Sequence, residues 1–188
     1  TPSPYFQNYS YCKRKPEGKD ILFFGAMSRA ENYESALWFI KRVMPLLSEE
    51  HVRFIVLGGN PPEKLKSIYR DDVIIKGYVD DVTPYFEKSL CFVAPLLFGA
   101  GIKIKILEAM SSGIPVLTNQ IGIEGILAKN GAEYFLCETA EEYAITIKKL
   151  INGEIDTKKW CENEKNFISR NYRLTVNTEV FMDKLLRS

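Results

Sequence analysis

The sequence predicts an α/β domain built as a doubly wound parallel sheet of about six strands with helices on both faces. Three observations carry that expectation. Six short apolar runs are continuous rather than alternating, which suits strands covered on both faces. Segments of helical period separate most of them, so strand and helix alternate along the chain. Finally, 188 residues with 46% hydrophobic and 26% charged content suffice for one well-buried domain and not for two of ordinary size.

Thr1 to Asp20 contains Pro2, Pro4, Pro16 and the basic run Lys13-Arg14-Lys15, without any period. Residues 1–20 therefore read as a linker or interdomain crossing whose basic run is solvated, with at most peripheral membrane association. The domain proper spans 21–172. Its first strand is Ile21 to Phe24, and a helix follows from Asn32, an N-cap residue, with Ala36, Leu37, Ile40, Val43, Met44 and Leu47 at helical spacing. The second strand is Val52 to Leu57. Pro61-Pro62 then opens a helix that places Leu65, Ile68 and Tyr69 on one face. The third strand, Val73 to Ile75, leads into a short helix over Val82 to Lys88, and Leu90 to Ala94 is the fourth strand. A helix from Lys103 to Ser112 stops at Gly113, as a C-cap glycine requires. Pro115 to Thr118 and Tyr134 to Cys137 complete the strands. Thr139 caps a helix reaching Asn152-Gly153, and Lys158 to Asn171 is helical. Residues 173–188 form a last helix that packs back or reaches towards a further domain.

Composition removes several classes of function. A net charge of +1 gives no broad attraction to nucleic acid. No run approaches the ~18 apolar residues that span a bilayer. Cys12, Cys91, Cys137 and Cys161 are far apart without C-x-x-C spacing, so a reducing, cytoplasmic setting is expected. The single histidine, His51, leaves Ser-His-Asp, Cys-His and Cys/His zinc chemistry without partners. Carboxylates, backbone amides and cations must do whatever work is done.

In the common Rossmann-like strand order 3-2-1-4-5-6, ligands bind where the winding reverses, outside the carboxyl ends of strands one and four. The loops that meet there are Gly25-Ala26-Met27-Ser28-Arg29 and the stretch from Pro95, which reads PLLFGAGIKIKILEAMSSG. Gly99 and Gly101 let the backbone bring its N–H groups to an anion, and the helix start adds unsatisfied amides. Lys103 and Lys105 place cations at the positive end of a helix dipole, which costs a few tenths of a kcal/mol unless an anion neutralises them. The two side chains point about 100° per residue apart, so they diverge. Lys105, three residues before Glu108, is the one expected inward. A tight strand-to-helix turn with solvated lysines is the alternative, and Glu108 then merely pairs with Lys105. A dinucleotide fingerprint fails, because its third glycine falls at Ile104 and no acid ends the next strand at Thr118-Asn119-Gln120.

GAGIKIKILEAMSSGIPVLT followed by Gly122-Ile123-Glu124-Gly125-Ile126 resembles the donor-binding signature of the group 1 retaining glycosyltransferases of GT-B fold. Gly25-Ala26-Met27 with Asn32, Leu57-Gly58-Gly59-Asn60 and Gly77-Tyr78-Val79-Asp80-Asp81-Val82 extend it over Ile21 to Ile126. The resemblance implies that the chain is the C-terminal, nucleotide-sugar-binding half of such an enzyme. On it, Glu108 would accept from the ribose hydroxyls and Lys105 would neutralise the diphosphate, as the catalytic pair, aided by Arg29 or Lys103. Backbone groups at Tyr78 and Val79 would hold the base, with Tyr78 a candidate to stack on it. Gly25, Gly58 and the amides of Gly99, Ala100, Gly101 and Ile102 would complete the donor site. Two departures stand out. The family often has a second glutamate where this chain has Ala100, and an arginine and a lysine after strand one where only Arg29 stands, with Glu31 near it. The adjacent Asp80-Asp81 is expected to cap a helix, so no metal cofactor is expected. The acceptor, a glycan or lipid-linked sugar, would come to an N-terminal domain outside this chain, and this chain alone would transfer little or no sugar. A non-catalytic nucleotide-binding or scaffold module of the same fold is the alternative.

Overall fold

The computed structural model describes Tyr9 and residues 13–172. Six parallel strands form one sheet in the order β3-β2-β1-β4-β5-β6. They are β1 (Asp20–Phe24), β2 (Arg53–Leu57), β3 (Val73–Gly77), β4 (Cys91–Ala94), β5 (Val116–Thr118) and β6 (Phe135–Leu136), each within a residue or two of its expected place. The inner strands are buried on both faces, β4 and β5 entirely so, as continuous apolar runs require. The pairs Leu22↔Ile55 and Leu22↔Phe92 seat β1 between β2 and β4.

The helices are α1 (Ala30–Arg42), α2 (Glu63–Lys66), α3 (Thr83–Lys88), α4 (Ile104–Ser112), α5 (Gln120–Ile123), α6 (Ala140–Ile151) and α7 (Thr157–Asn171). A 3-10 segment, Met44–Glu50, follows α1. It packs with α1 and α6, where Phe39 and Trp38 meet the Tyr143 ring at 6.0 and 5.9 Å. On the other side α4 packs against α3 and α7. Phe135 of β6 lies flat on Trp160 of α7, with ring centroids 3.8 Å apart and planes 9° from parallel. Among the described residues no helix is long and apolar enough to cross a membrane.

Several expectations change. The single helix expected from Asn32 to Leu47 divides at Val43, because Pro45 lacks the N–H and crowds the preceding turn. Asn32 is not the N-cap. Arg29 stands there without a side-chain cap bond, and the Asn32 amide instead donates to the Ala26 carbonyl at 2.9 Å. The helix after Pro62 is only one turn, so Ile68 and Tyr69 lie beyond it and Tyr69 is 93% exposed. The bidentate Arg70–Asp72 pair shapes the turn into β3 instead. The short α5 was not expected; Asn119 caps it by accepting from Gly122 N at 3.0 Å. Thr139 caps α6 and left-handed Gly113 (φ 74°) ends α4, both as the sequence implies, and Glu142 completes a capping box with Thr139.

The basic run before β1 is not uniformly solvated. The Arg14 guanidinium donates to the carbonyls of Ser89 (2.6 Å), Gly113 (3.0 Å), Phe86 and Leu90 (both 3.3 Å), which end α3 and α4 or begin β4. Lys15 N donates to Glu87 O at 2.9 Å, so this segment lies along the domain as a strap. The expected helix within 173–188 lies outside the described residues.

Candidate functional site

The carboxyl ends of β1 and β4 lie side by side, and the loops after them diverge over the top of the sheet. Two cavities open there and share Phe24, Gly25 and Ala26 as a common wall. The first, of about 410 Å³, lies between the loops after β1, β2 and β3, against Gly58, Gly59, Tyr78, Val79 and Val82. It is a mostly apolar slot. The second, of about 450 Å³, lies between the β1 loop and the start of α4 and is charged, with Arg29, Lys103, Lys105, Glu31 and Glu108 in its walls.

The slot is made by the close approach of two loops. Gly58 has φ 146°, and a Cβ there would lie 1.8 Å from the Gly25 carbonyl oxygen. No other residue can stand at that point without pushing the β1 and β2 loops apart. Gly58 N donates to Gly77 O at 2.7 Å and Gly25 N to Leu57 O at 3.1 Å, which aligns the three strand ends. Tyr78 lines the slot and is 75% exposed. Asp81 accepts from Thr83 N at 2.8 Å just before α3, whose N-cap position is Val82 and not the expected Asp80-Asp81 pair.

In the charged cavity the two lysines diverge, as their spacing on the chain requires. Lys105 turns inward, donates to the side-chain oxygen of Asn32 and sits 4.9 Å from the Phe23 ring centroid. Burial pushes its ammonium down to about 8; the Glu31 carboxylate opposes that shift and the Lys103 charge adds to it. Glu108 lines the same cavity one helical turn on. Its charge, after burial itself, helps push the Tyr9 hydroxyl up to about 12. Arg29 is largely exposed, with a loose ion pair to Glu31 at 3.9 Å. Lys103 folds back onto its own loop, donating to Gly101 O at 2.5 Å and meeting Glu124 at 3.4 Å.

Nearly all the expected residues are therefore brought together. Gly25, Gly58, Tyr78 and Val79 line the slot, and Arg29, Gly99, Ala100, Ile102, Lys103, Lys105 and Glu108 line the charged cavity. Gly101 is the exception, since its N–H is bonded to Glu124 at 2.9 Å and it lines neither cavity. Asn32, expected as a helix cap, emerges as a wall of the cavity and the partner of Lys105. Asn119 and Glu124 also emerge as partners of the β4–α4 loop, Asn119 donating to Leu96 O at 2.6 Å. Among the described residues no group of three or more His, Cys, Asp or Glu side chains could hold a metal ion.

Residues 18–153 match the family described as glycosyl transferases group 1. A Klebsiella pneumoniae protein, named as an uncharacterized 44.6 kDa protein in the cps region, is 26% identical over 183 residues. That match covers 90% of this chain and 46% of the relative. An Escherichia coli UDP-Gal:alpha-D-GlcNAc-diphosphoundecaprenol alpha-1,3-galactosyltransferase is 33% identical over 92 residues, 45% of this chain and 24% of that one. The chain thus spans less than half the length of these curated relatives. Among solved structures, a mutant of S. aureus TarM in complex with Fondaparinux, alpha-GlcNAc-glycerol and UDP superposes with TM-score 0.75 at 20% identity. It covers 93% of this chain and 36% of that one. The C-terminal domain of a group 1 family protein (LpcC) from Francisella tularensis has TM-score 0.68 at 17% identity, covering 92% of this chain and 95% of that one.

Proposed function

The chain belongs to the group 1 glycosyl transferases, and from that membership we propose that it is the donor half of an enzyme moving a sugar from a nucleoside-diphosphate sugar to an acceptor. One observation carries the reading. An apolar slot and a charged cavity share a wall at Gly25–Ala26, which is the layout a base followed by a diphosphate needs. The base enters the slot beside Tyr78 and Val79. The diphosphate lies by the start of α4, where backbone amides, the helix dipole, Lys105 and Arg29 favour negative charge. Glu108 accepts from the two ribose hydroxyls, a geometry that suits a carboxylate.

Chemistry follows from charge. As the glycosidic C–O bond breaks, negative charge collects on the departing diphosphate, and fixed cations and amides stabilise it without reorganising. Lys105 is the central cation, because Asn32 and the Phe23 ring hold it in place before the donor arrives. It stands where the β1 loop offers no lysine of its own. We propose no metal cofactor and transfer with retention, the second from the family alone. The acceptor, a glycan or lipid-linked sugar, would be held by a second domain outside this chain; the printed name of the E. coli relative supports that class. Nucleic acid is not a partner on this reading, and membrane contact is peripheral at most. A cytoplasmic setting accords with Cys91, Cys137 and Cys161 being free thiols.

Calorimetric titration with UDP, GDP, ADP and CDP tests the reading. Selective binding of one base with Kd between μM and mM, about −8 to −4 kcal/mol, is expected. Glu108→Ala should weaken it roughly tenfold or more, the loss of hydrogen bonds to a charged group. A folded chain blind to all four nucleotides would favour the scaffold reading.

A further inference from the structure

We propose that Glu124 is an internal stand-in for the donor's diphosphate, holding the phosphate loop's donors when the site is empty and giving them up when the donor binds. The inference rests on the donor site proposed above and concerns how that site is occupied between ligands.

One carboxylate oxygen of Glu124 accepts from Gly101 N at 2.9 Å and meets the Lys103 ammonium at 3.4 Å. A backbone amide at a glycine of positive φ (75°) and a lysine at the mouth of a helix are the donor set that a phosphate oxygen takes. Here a side-chain oxygen already occupies it. Glu124 reaches across from the segment after α5, 23 residues further along the chain. That segment is fitted to the loop at two more points. Asn119 donates to Leu96 O at 2.6 Å while capping α5, and a Cβ on Gly125 would come within 3.0 Å of Ile102. The carboxylate is thus presented by a built support, not by a wandering side chain.

Its other features suit exchange. The side chain is 53% exposed, so it can swing into water at little desolvation cost. The Lys103 contact is long, whereas Lys103 keeps its shorter bond to Gly101 O when the carboxylate leaves. An arriving diphosphate repels the carboxylate and offers more charge to the same donors. When the diphosphate departs, the carboxylate returns and the amide is not left unpaired. Glu124 therefore works as a positioning residue that orders the loop in the empty state and competes with the bound one.

The test separates charge from shape. Glu124→Gln keeps an oxygen for Gly101 N–H and removes the competing charge, and Glu124→Ala removes both. Each is titrated beside the unaltered chain with UDP and with inorganic pyrophosphate, the latter probing the anion donors without base or ribose. We expect Glu124→Gln to bind both about two- to fivefold tighter, the span of partly exposed charge pairs, and to lose affinity more steeply with added salt. Thermal melting without ligand checks that each variant folds. Unchanged or weaker pyrophosphate and UDP binding by folded Glu124→Gln, beside an unaltered chain that binds UDP, overturns the proposal and leaves the donor site standing. An unaltered chain and variants that all ignore UDP and pyrophosphate remove the donor site and this proposal with it.

Discussion

Lys105 joins sequence, burial and chemistry in one side chain. Its inward aim was legible from its spacing to Glu108, and its depressed ammonium was not, because that depends on how deeply the folded chain buries it and on the Lys103 charge nearby. A consequence for pH follows. The charged form is the one that neutralises a diphosphate, and it is lost as pH rises through about 8. Nucleotide affinity should therefore fall between roughly pH 7 and pH 9, and Lys105→Met should be weaker throughout and lose that dependence. Stability moves the other way. The folded chain holds this proton less tightly than the unfolded one, so the empty protein gains stability as pH climbs from about 8 towards the ordinary lysine value of 10.5. Calorimetry and thermal melting over the same pH series read the two opposite slopes. The roles of Asn32 and Glu124 were beyond sequence reasoning for a different reason. An asparagine at the start of a helix reads as a cap, and Glu124 stands within the resembling signature without a partner that the sequence could name. Asn32 finds its partner across the neighbouring β1 and β4 loops, 73 residues away in the chain, and Glu124 reaches Gly101 from the segment after β5, 23 residues away.

At the scale of elements, the local signals at two helix ends held, while the cap expected at Asn32 and the length of α2 did not. The capping box at Thr139 and Glu142 and the left-handed Gly113 are local devices, and both ends stand where expected. Pro45 is local too, yet the apolar spacing from Ala36 to Leu47 hides it, because a 3-10 segment continues to bury Met44 and Leu47 on the same side. The α2 expectation failed because Tyr69 had the spacing of a buried residue with nothing in the fold to bury it. Gly58 is the most exacting position in the loops. Gly58→Ala would force a left-handed-side φ on a side chain and drive its Cβ into the Gly25 carbonyl. We expect a loss of about 2–4 kcal/mol, read by urea denaturation, together with weaker nucleotide binding as the slot splays.

Taken whole, the fold was nearly complete in the sequence: one alternation of apolar runs and helices, one topological switch and one glycine-bearing loop at it. What the sequence concealed is the underside of the sheet. There Glu164 of α7 is fully buried near Arg14, beside the Trp160 indole, and its carboxylate oxygens make no hydrogen bond of good geometry among the described residues. Burial pushes its carboxyl well above the usual range, with Arg14 and the Trp160 indole pulling back. A raised acid binds its proton in the folded state, so this stabilising contribution is complete below the ordinary carboxylate value of 4.5 and lost as pH rises through the raised one. Glu164→Gln should melt a few °C higher than the parent at pH 8, about what 1 kcal/mol makes in a domain of this size, and match it near pH 4. The same region bears on how such melts are observed. The chain has two tryptophans, Trp38 and Trp160, and neither lines the slot or the charged cavity. Trp160 is stacked on Phe135 at the β6 edge, and Trp38 meets Tyr143 between α1 and α6. Indole fluorescence is therefore blind by placement to direct quenching by a nucleotide and sensitive to unfolding. Replacing either tryptophan with phenylalanine leaves a single emitter, and the two variants together give separate optical records of the β6–α7 edge and the α1–α6 layer.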